Sequence, residues 1–556
     1  MTLPFLSCMR MGGHAPSRVA ITTLEGEEYP QEIDMAVGMT HRFYSRAFIN
    51  TASGEQSIGA AEQRDVLHEV AFDVKEESVP GQVVQAMPNG CLWAKGTGQA
   101  VARLSAYSLQ KGQLEAFVKL NVSNGSPQKV DLGSVQNFSV AQLKTDHGTF
   151  YGLTRNSKFA VINGEAQVAG GIQDASLDPS PDVLFPSVWP AGQSAGFFVS
   201  YSASRSSTTR RLSTGFFPLS AQIVTAPTFS FDNPEKNSPL EIQKIVGGVL
   251  STQAPVIFAV TRDWDSTLNN NQGGFSNAHM ALFVLVHPGL QALPTSQPSS
   301  AYLSDINGII RMAVSDTELD RAIQFSQGQS GNFYIATGTY MDTAASSTDR
   351  TKWVMKSDLK FIIYDGTLSS QFVVETPISS LNLGEVAHKK AFALDASFDV
   401  PRIVFIRKSD KNLIFLERAP SWKSAQFDTS VDESFSPRLV ANSEDGTLLV
   451  AWKKNNEFYF QISKDFGATW LPSPLKLSAT ILDLELVPLP CGGSGLVTVE
   501  GTDLKLRFFD SDVFKTFSNP VSIGSGLKKI QIFRERQMIK LFHLDGSGVL
   551  SMTRFP

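Results

Sequence analysis

The sequence predicts an all-β protein built as a multi-bladed β-propeller, with an N-terminal β-rich accessory domain or arm. Three observations predict this fold. The 38 Phe, 42 Gly and 28 Pro among 556 residues are typical of many short buried strands joined by tight turns. A strand-and-turn unit recurs at near-constant spacing toward the C-terminus, with Trp422, Trp470 and Phe517 standing 48 and 47 residues apart. The last unit has only three predicted strands.

The clearest unit begins at Ser436. An apolar strand is followed by an Asp-Gly turn, a second strand ending at Trp452, an alternating strand over 458–462, and a fourth strand after Trp470. Four short antiparallel strands with tight links are typical of one propeller blade. A β-sandwich has such strands without this long-range recurrence.

The repeat divides the C-terminal part of the chain into blades. The clearest predicted blades are 380–428, 434–476, 480–523 and 526–556. Upstream the repeat is interrupted by long polar inserts, and allowing for them about seven blades fit into residues 126–556, with six or eight tenable. We therefore predict a propeller over 126–556.

The N-terminal segment, residues 1–125, is β-rich without the blade pattern. We interpret it as an accessory domain or arm, with its best helix candidate at Gly59–Val70. The last blade lacks one strand, and propellers often complete such a blade with a strand from the beginning of the chain. We expect the N-terminal third to donate that strand.

One turn carries a recognisable motif. Residues 463–470 read S-K-D-F-G-A-T-W and fit every fixed position of the Asp box, S-x-D-x-G-x-T-W. The motif resembles that of the sialidase-like (bacterial neuraminidase repeat) propeller families, which implies a structural turn between the third and fourth strands of a blade. The predicted turn residues, including those of a degenerate second copy, are Ser463, Asp465, Gly467, Thr469, Trp470, Asp512, Thr516 and Phe517.

The catalytic pattern of that family is incomplete in this chain. The resemblance implies three arginines that bind the substrate carboxylate, a Tyr nucleophile in the last blades, and an Asp acid/base. No R-I-P tripeptide occurs, and the last tyrosine is Tyr459, before the best Asp box. The sequence therefore gives no catalytic residues, and it favours a protein that is not an enzyme. A glycoside hydrolase is kept as an alternative, since paired carboxylates at the propeller mouth could supply the chemistry.

The sequence predicts neither a cofactor nor a metal site. The eight His are isolated in sequence, and the calcium-like start at Asp263 has Leu268 where the loop needs Gly. A net charge of −5 gives no general attraction to nucleic acid, and no apolar run is long enough to span a membrane. The first residues lack the pattern of a signal peptide, so we expect cytoplasmic synthesis, with incorporation into a particle or non-classical export.

Three functions follow from this pattern. The first is a non-catalytic scaffold that binds protein partners in a larger complex, such as a phage tail or an injection machine. Its contact loop is predicted at Arg262, Asp263, Trp264 and Asp265. The second is a glycan-binding lectin, which requires an exposed aromatic ring such as Trp422 or Trp470. The third is the glycoside hydrolase.

Overall fold

The structure is a computed structural model of the chain. The residues that it describes are 15–22, 26–36, 40–58, 68–76, 83–86, 91–94, 96–123, 128–136, 138–145, 148–155, 158–164, 166–167, 175–176, 181–189, 194–203, 211–219, 229–231, 240–249, 255–265, 274–286, 301–303, 311–312, 319–338, 340–342, 354–356, 359–364, 373–442, 446–477, 480–488, 494–508, 520–525, 529–535 and 538–555.

The described part of the first 123 residues is built from strands. They are β1 (Pro16–Thr22), β2 (Glu32–Ala36), β3 (Thr40–Arg42), β4 (Tyr44–Thr51), β5 (Gly54–Ser57), β6 (His68–Glu76), β7 (Val84–Ala86), β8 (Cys91–Ala94), β9 (Gly98–Ser108) and β10 (Gly112–Ser123). The helix predicted at Gly59–Val70 is wrong at its C-terminal end, because His68 begins β6. Residues 59–67 lie outside the described part.

These strands form three sheets, ordered β1-β4-β5, β2-β10-β9-β6 and β3-β8-β7. In β9, Ala100, Ala102 and Leu104 are buried, and their neighbours in sequence are more exposed. Alternating side chains point to opposite faces of a strand, so this pattern buries one face of the sheet. The buried face belongs to a core whose members all lie between Val19 and Val122.

The rest of the described chain is built from strands and two four-residue helices, Leu319–Ala322 and Pro377–Ser380. The strands are β11 (Gln128–Ser134), β12 (Phe138–Thr145), β13 (Gly148–Arg155), β14 (Lys158–Asn163), β15 (Ala175–Ser176), β16 (Pro181–Trp189), β17 (Ser194–Ala203), β18 (Arg211–Pro218), β19 (Phe229–Phe231), β20 (Leu240–Val249), β21 (Pro255–Asp265), β22 (Gly274–Val286), β23 (Ala301–Leu303), β24 (Arg311–Met312), β25 (Ile323–Gln327), β26 (Phe333–Thr337), β27 (Tyr340–Asp342), β28 (Val354–Lys356), β29 (Lys360–Tyr364), β30 (Val373–Glu375), β31 (Phe392–Asp395), β32 (Arg402–Ile406), β33 (Leu413–Arg418), β34 (Trp422–Asp428), β35 (Arg438–Ala441), β36 (Leu448–Lys454), β37 (Glu457–Ser463), β38 (Leu475–Leu477), β39 (Ile481–Pro488), β40 (Ser494–Glu500), β41 (Asp503–Phe508), β42 (Val521–Ser525), β43 (Lys529–Glu535), β44 (Met538–Leu544) and β45 (Val549–Phe555).

From β11 onward, the described strands form eight antiparallel sheets of four or five strands and a two-stranded sheet, β27-β28. Seven of the eight follow chain order: β12-β13-β14-β15, β16-β17-β18-β19, β20-β21-β22-β23 with β24 on β22, β25-β26-β29-β30, β31-β32-β33-β34, β35-β36-β37-β38 and β39-β40-β41-β42. The eighth is β11-β45-β44-β43. The predicted all-β propeller is confirmed as a fold class.

The first strands of most successive sheets lie side by side. β12 contacts both β16 and β43, and β16 contacts β20. β31 lies between β25 and β35, and β35 contacts β39. Side chains bridge this inner ring. For example, Gln324 in β25 donates to the Phe392 carbonyl of β31 at 2.9 Å and accepts from the Leu394 amide at 2.9 Å. These bridges satisfy backbone groups that no strand ladder reaches.

The last sheet is completed by a strand from near the start of the chain, as the three-strand tail predicts. Val130 in β11 pairs with Met552 in β45, and Gln128 pairs with Arg554. The donated strand begins at residue 128, just after the segment 1–125. Its pairing covers the edge of β45 that a three-stranded tail would leave open.

Candidate functional site

The direction of the strands gives the propeller two different ends. Neighbouring strands run antiparallel, so the link into each sheet lies at the same end as the turn between its second and third strands. We call this end the link face. In the sheets around β31 it carries residues 376–391, 407–412 and 429–437. The opposite end, the turn face, carries the predicted Asp-box turn at 463–470.

A cleft of about 610 Å³ opens on the link face. It is lined by residues 387–390, Lys411 and residues 431–434. We call it the lysine cleft, because Lys389, Lys390 and Lys411 line it. Its three segments come from two links and one turn of neighbouring sheets. This cleft was not predicted from the sequence. Its one sequence signal is the run His388-Lys389-Lys390 in a link.

His388 joins two walls of the cleft. Its Nε2 lies 2.7 Å from the Glu433 carbonyl oxygen, and its Nδ1 accepts from the Lys390 amide at 3.2 Å. The Nε2–H tautomer fits both contacts, since Nδ1 must accept while Nε2 donates. The Nε2 contact therefore joins the two links, while the Nδ1 contact fixes the ring within its own link.

Backbone hydrogen bonds fix the remaining walls. The Val431 amide donates to the Lys411 carbonyl at 2.9 Å, and the Asp432 amide donates to the Lys453 carbonyl at 2.8 Å. Lys411 adopts a φ of 56°, in the left-handed region that side chains other than Gly rarely occupy. The cleft is therefore formed before any ligand arrives.

Lysines outnumber carboxylates in the cleft. Three lysines face Asp432 and Glu433, which leaves one positive charge. The Lys411 Nζ lies 3.3 Å from Glu433. Although burial acts to raise it, the pKa of Asp432 is lowered by hydrogen bonds from Ser434 and by the charges of Lys453 and Lys411. The cleft therefore attracts anions locally, in a chain whose net charge is −5.

A second charged group, the channel cluster, lies at the inner ring and consists of Arg321, Arg438, Asp483 and Glu485. Arg321 precedes β25, yet its Nη2 donates to Glu485 of β39 at 2.6 Å. Since β31 and β35 separate those two strands in the ring, this bond links two sheets that are not neighbours. Arg438 is buried and lies 3.3 Å from Glu485 and 3.2 Å from Asp483. Burial lowers the pKa of Arg438.

The channel cluster brings two carboxylates to the place where a hydrolase would need them. However, each carboxylate already accepts from a guanidinium, and one carboxyl group of a glycosidase must carry a proton to the leaving group. The arrangement fits an electrostatic bridge between sheets. Sequence reasoning missed it, since Arg321 and Glu485 are 164 residues apart.

The structure places five predicted turn residues together. Asp465 accepts from the Thr469 amide at 2.8 Å, from the Thr469 hydroxyl at 2.6 Å and from the Ser463 hydroxyl at 2.8 Å. The Ser463 hydroxyl also accepts from the Gly467 amide, and Gly467 has a φ of 92° that suits glycine. These bonds from Thr469 and Ser463 lower the pKa of Asp465. Asp512, Thr516 and Phe517 lie outside the described residues.

The aromatic residues predicted to follow these turns pack between sheets. Trp470 contacts Phe415 and Phe427 of the preceding sheet, at ring-centroid distances of 5.0 and 4.6 Å. Trp422 makes an equivalent edge contact, at a ring-centroid distance of 5.2 Å, with Phe361 of the sheet that precedes its own. Its indole N–H donates to a carboxylate of that preceding sheet. Both rings are half-buried by protein. They serve packing between neighbouring sheets rather than an open sugar platform.

The predicted contact residues 262–265 have a described backbone only. They end strand β21 instead of forming a loop, with Trp264 paired to Phe275 and Asp265 to Gly274 across a long hairpin. The strand continues because the insert pairs with itself. Their role in contacts stays a prediction.

No helix in the described part of the chain is long and apolar enough to cross a membrane. No group of three or more His, Cys, Asp or Glu side chains among the described residues is placed to hold a metal ion.

No protein-family model matches the chain, and no curated protein matches it. Solved structures resemble it only distantly. The chain is similar to the six-bladed β-propeller lectin of Aleuria aurantia, with 13% identity, 61% of this chain and 96% of that chain covered, and a TM-score of 0.29. It is similar to the Dos1 propeller, with 13% identity, 77% and 93% covered, and a TM-score of 0.40.

A Trypanosoma rangeli sialidase is a third similar structure, with 11% identity and a TM-score of 0.28. That likeness covers 57% of this chain and 54% of the sialidase. At these identities and TM-scores, the three likenesses carry no argument about ligand or activity.

Proposed function

We propose that the chain is a non-catalytic β-propeller that serves as an interaction or assembly scaffold. One observation carries the proposal: the link face holds a preformed charged cleft, while the recurring Trp422 and Trp470 are used in packing between sheets. A rigid ring of sheets that displays links on one face is suited to binding other proteins. A phage tail or an injection machine is one assembly that would use such a module.

The proposal includes a domain division. Residues 1–125 form an accessory β domain with its own core, and residues 126–556 form the propeller, in which each of the eight sheets is one blade. The core between Val19 and Val122 supports the first part, and the pairing of β11 with β45 supports the second.

By fold, we place the chain with the sialidase-like Asp-box propellers. The turn at 463–470 supports this, since Asp465 collects hydrogen bonds from Thr469 and Ser463, and Trp470 packs on the preceding sheet. Such turns occur in hydrolases, lectins and scaffolds alike, so the resemblance supports the fold and leaves the chemistry open.

A glycoside hydrolase is the second candidate, because Asp483 and Glu485 lie in the channel cluster. The test uses the purified full-length chain on a glycan array and on a panel of fluorogenic glycosides. The scaffold proposal predicts no saturable, sugar-competable binding and no turnover. Competable binding would establish a lectin. Turnover that disappears in a D483N/E485Q variant would establish a hydrolase, and either result would overturn the proposal.

A further inference from the structure

We propose that the lysine cleft is the docking site for an acidic peptide segment of a partner protein, an inference that rests on the proposed scaffold function. In the cleft, a formed cavity and a local excess of positive charge coincide. Its volume of about 610 Å³ is enough for a few side chains of an extended peptide.

The walls are held in place without a ligand. His388 ties residues 387–390 to the Glu433 carbonyl, and Val431 is bonded to the Lys411 carbonyl. Binding therefore does not have to order these links, and preformed sites lose less free energy on binding.

The charges select the sign of the ligand. The lining holds Lys389, Lys390 and Lys411 against Asp432 and Glu433, a local excess of one positive charge, and the Lys411 Nζ is paired with Glu433. The whole chain is negative, so an acidic partner gains no attraction from the remainder of the surface. An acidic segment is therefore recognised locally, at the cleft.

The lining favours a peptide over a sugar. Its residues are Ala, Val, Ser, His, Lys, Asp and Glu, and none of these lining residues is an aromatic ring of the kind that stacks on sugar faces. Lysine ammonium groups instead donate to carboxylates as compact point charges, which suits glutamate or aspartate side chains of variable spacing.

The test measures binding of a fluorescein-labelled hexa-glutamate peptide to the full-length chain by fluorescence anisotropy. A hexa-glutamine peptide is the uncharged control, and a sulfated oligosaccharide is the polyanion control. The cleft variant is K389Q/K390Q/K411Q. The charge-matched control is K408Q/K423Q/K464Q, which removes three lysines that do not line the cleft. Thermal unfolding of both variants checks that they fold.

We expect hexa-glutamate to bind saturably at low ionic strength and to weaken as salt rises. The cleft variant should weaken that binding by roughly tenfold or more, while the matched control stays within about twofold. Equal binding by hexa-glutamine, equal loss in both variants, or preference for the sulfated oligosaccharide would overturn the acidic-peptide assignment.

This outcome is separable from the scaffold proposal. If hexa-glutamate fails to bind while glycan array and glycoside panel are also blank, the cleft assignment fails and the scaffold proposal stands. If the array or the panel is positive, the scaffold proposal fails whatever the peptide does.

Discussion

The indole of Trp470 meets the ring of Phe415 edge-on, with centroids 5.0 Å apart and ring planes at 70°. Trp470 follows the turn of one sheet, and Phe415 lies in the third strand, β33, of the sheet before it. Edge-to-face aromatic contacts of this kind stabilise beyond the area that they bury. The contact therefore joins neighbouring sheets, and it predicts what the loss of the indole costs.

A Trp470→Ala substitution should lower the free energy of unfolding by about 2–3 kcal/mol, because it removes a half-buried ring between two sheets. Urea denaturation measures the change. Leu482→Ala is the matched control, since Leu482 is 65% exposed and its truncation should cost almost nothing. Equal effects of the two substitutions would show that Trp470 does not join the sheets.

The turn at 463–470 makes a second prediction. Asp465→Ala removes the acceptor of the Thr469 amide, the Thr469 hydroxyl and the Ser463 hydroxyl, and should cost about 1–2 kcal/mol of unfolding free energy. Asp465→Asn keeps one oxygen acceptor and should cost less.

Because the pKa of Asp465 is lowered in the folded chain, the contribution of this carboxylate to folding stability is present above its usual pKa and is lost as pH falls. Asp465→Asn should lack that acid-dependent loss.

The environment of His543 predicts how the stability of the sheet β11-β45-β44-β43 responds to acid. The side chain is fully buried in β44, its two ring nitrogens have no hydrogen-bond partner among the described residues, and Ser551 stands opposite it in β45. Burial chiefly, with the charge of Lys129, lowers the pKa of His543 to about 4, while Asp545 acts in the other direction.

The unfolded chain binds a proton near the ordinary histidine pKa of 6.5, whereas the folded chain does so only near 4. Stability is therefore full above pH 6.5 and falls as pH drops toward 4, by at most about 3 kcal/mol. Unfolding free energies measured between those two pH values should show a steeper slope for the wild type than for His543→Leu. Parallel slopes would contradict the assignment of the acid response to His543.

The seam between β11 and β45 predicts an effect of proline. Val130→Pro places a residue without an amide hydrogen in the donated strand, which pairs with β45. We expect a lower thermal midpoint and association through the exposed edge of β45, seen as larger species by size-exclusion chromatography. Gln56→Pro, in the exposed strand β5, is the control. Monomeric behaviour of both variants would contradict closure by β11.

Sequence analysis predicts the structural features that repeat along the chain. It does not predict contacts between segments that are distant in sequence. The spacing of Trp422 and Trp470 reflects one packing position that is used again in the next sheet, so periodicity alone finds it. The three-strand tail likewise implies a missing partner, which is β11. By contrast, Arg262–Asp265 were expected in a loop, because a polar insert that pairs with itself reads as unstructured in sequence.

The candidate site is harder to predict for a physical reason. The lysine cleft combines two links and a turn, and these meet only because antiparallel strands bring them to one end of the ring. The bond between Arg321 and Glu485 joins two non-adjacent sheets and depends on how the intervening sheets around β31 and β35 are arranged. Neither arrangement has a fixed spacing along the chain.

Cross-linking mass spectrometry of the tagged full-length chain in its native host tests the scaffold proposal most directly. A lysine-reactive cross-linker reports on Lys389, Lys390 and Lys411 at the link face and on Lys464 at the turn face. The account predicts that a reproducible protein partner is cross-linked through the cleft lysines of the wild type. Affinity purification without cross-linker should recover that partner with K408Q/K423Q/K464Q and lose it with K389Q/K390Q/K411Q. Absence of any reproducible protein partner would contradict the scaffold proposal, whereas recovery of the partner by both variants, or cross-links through Lys464 alone, would contradict the assignment of the cleft.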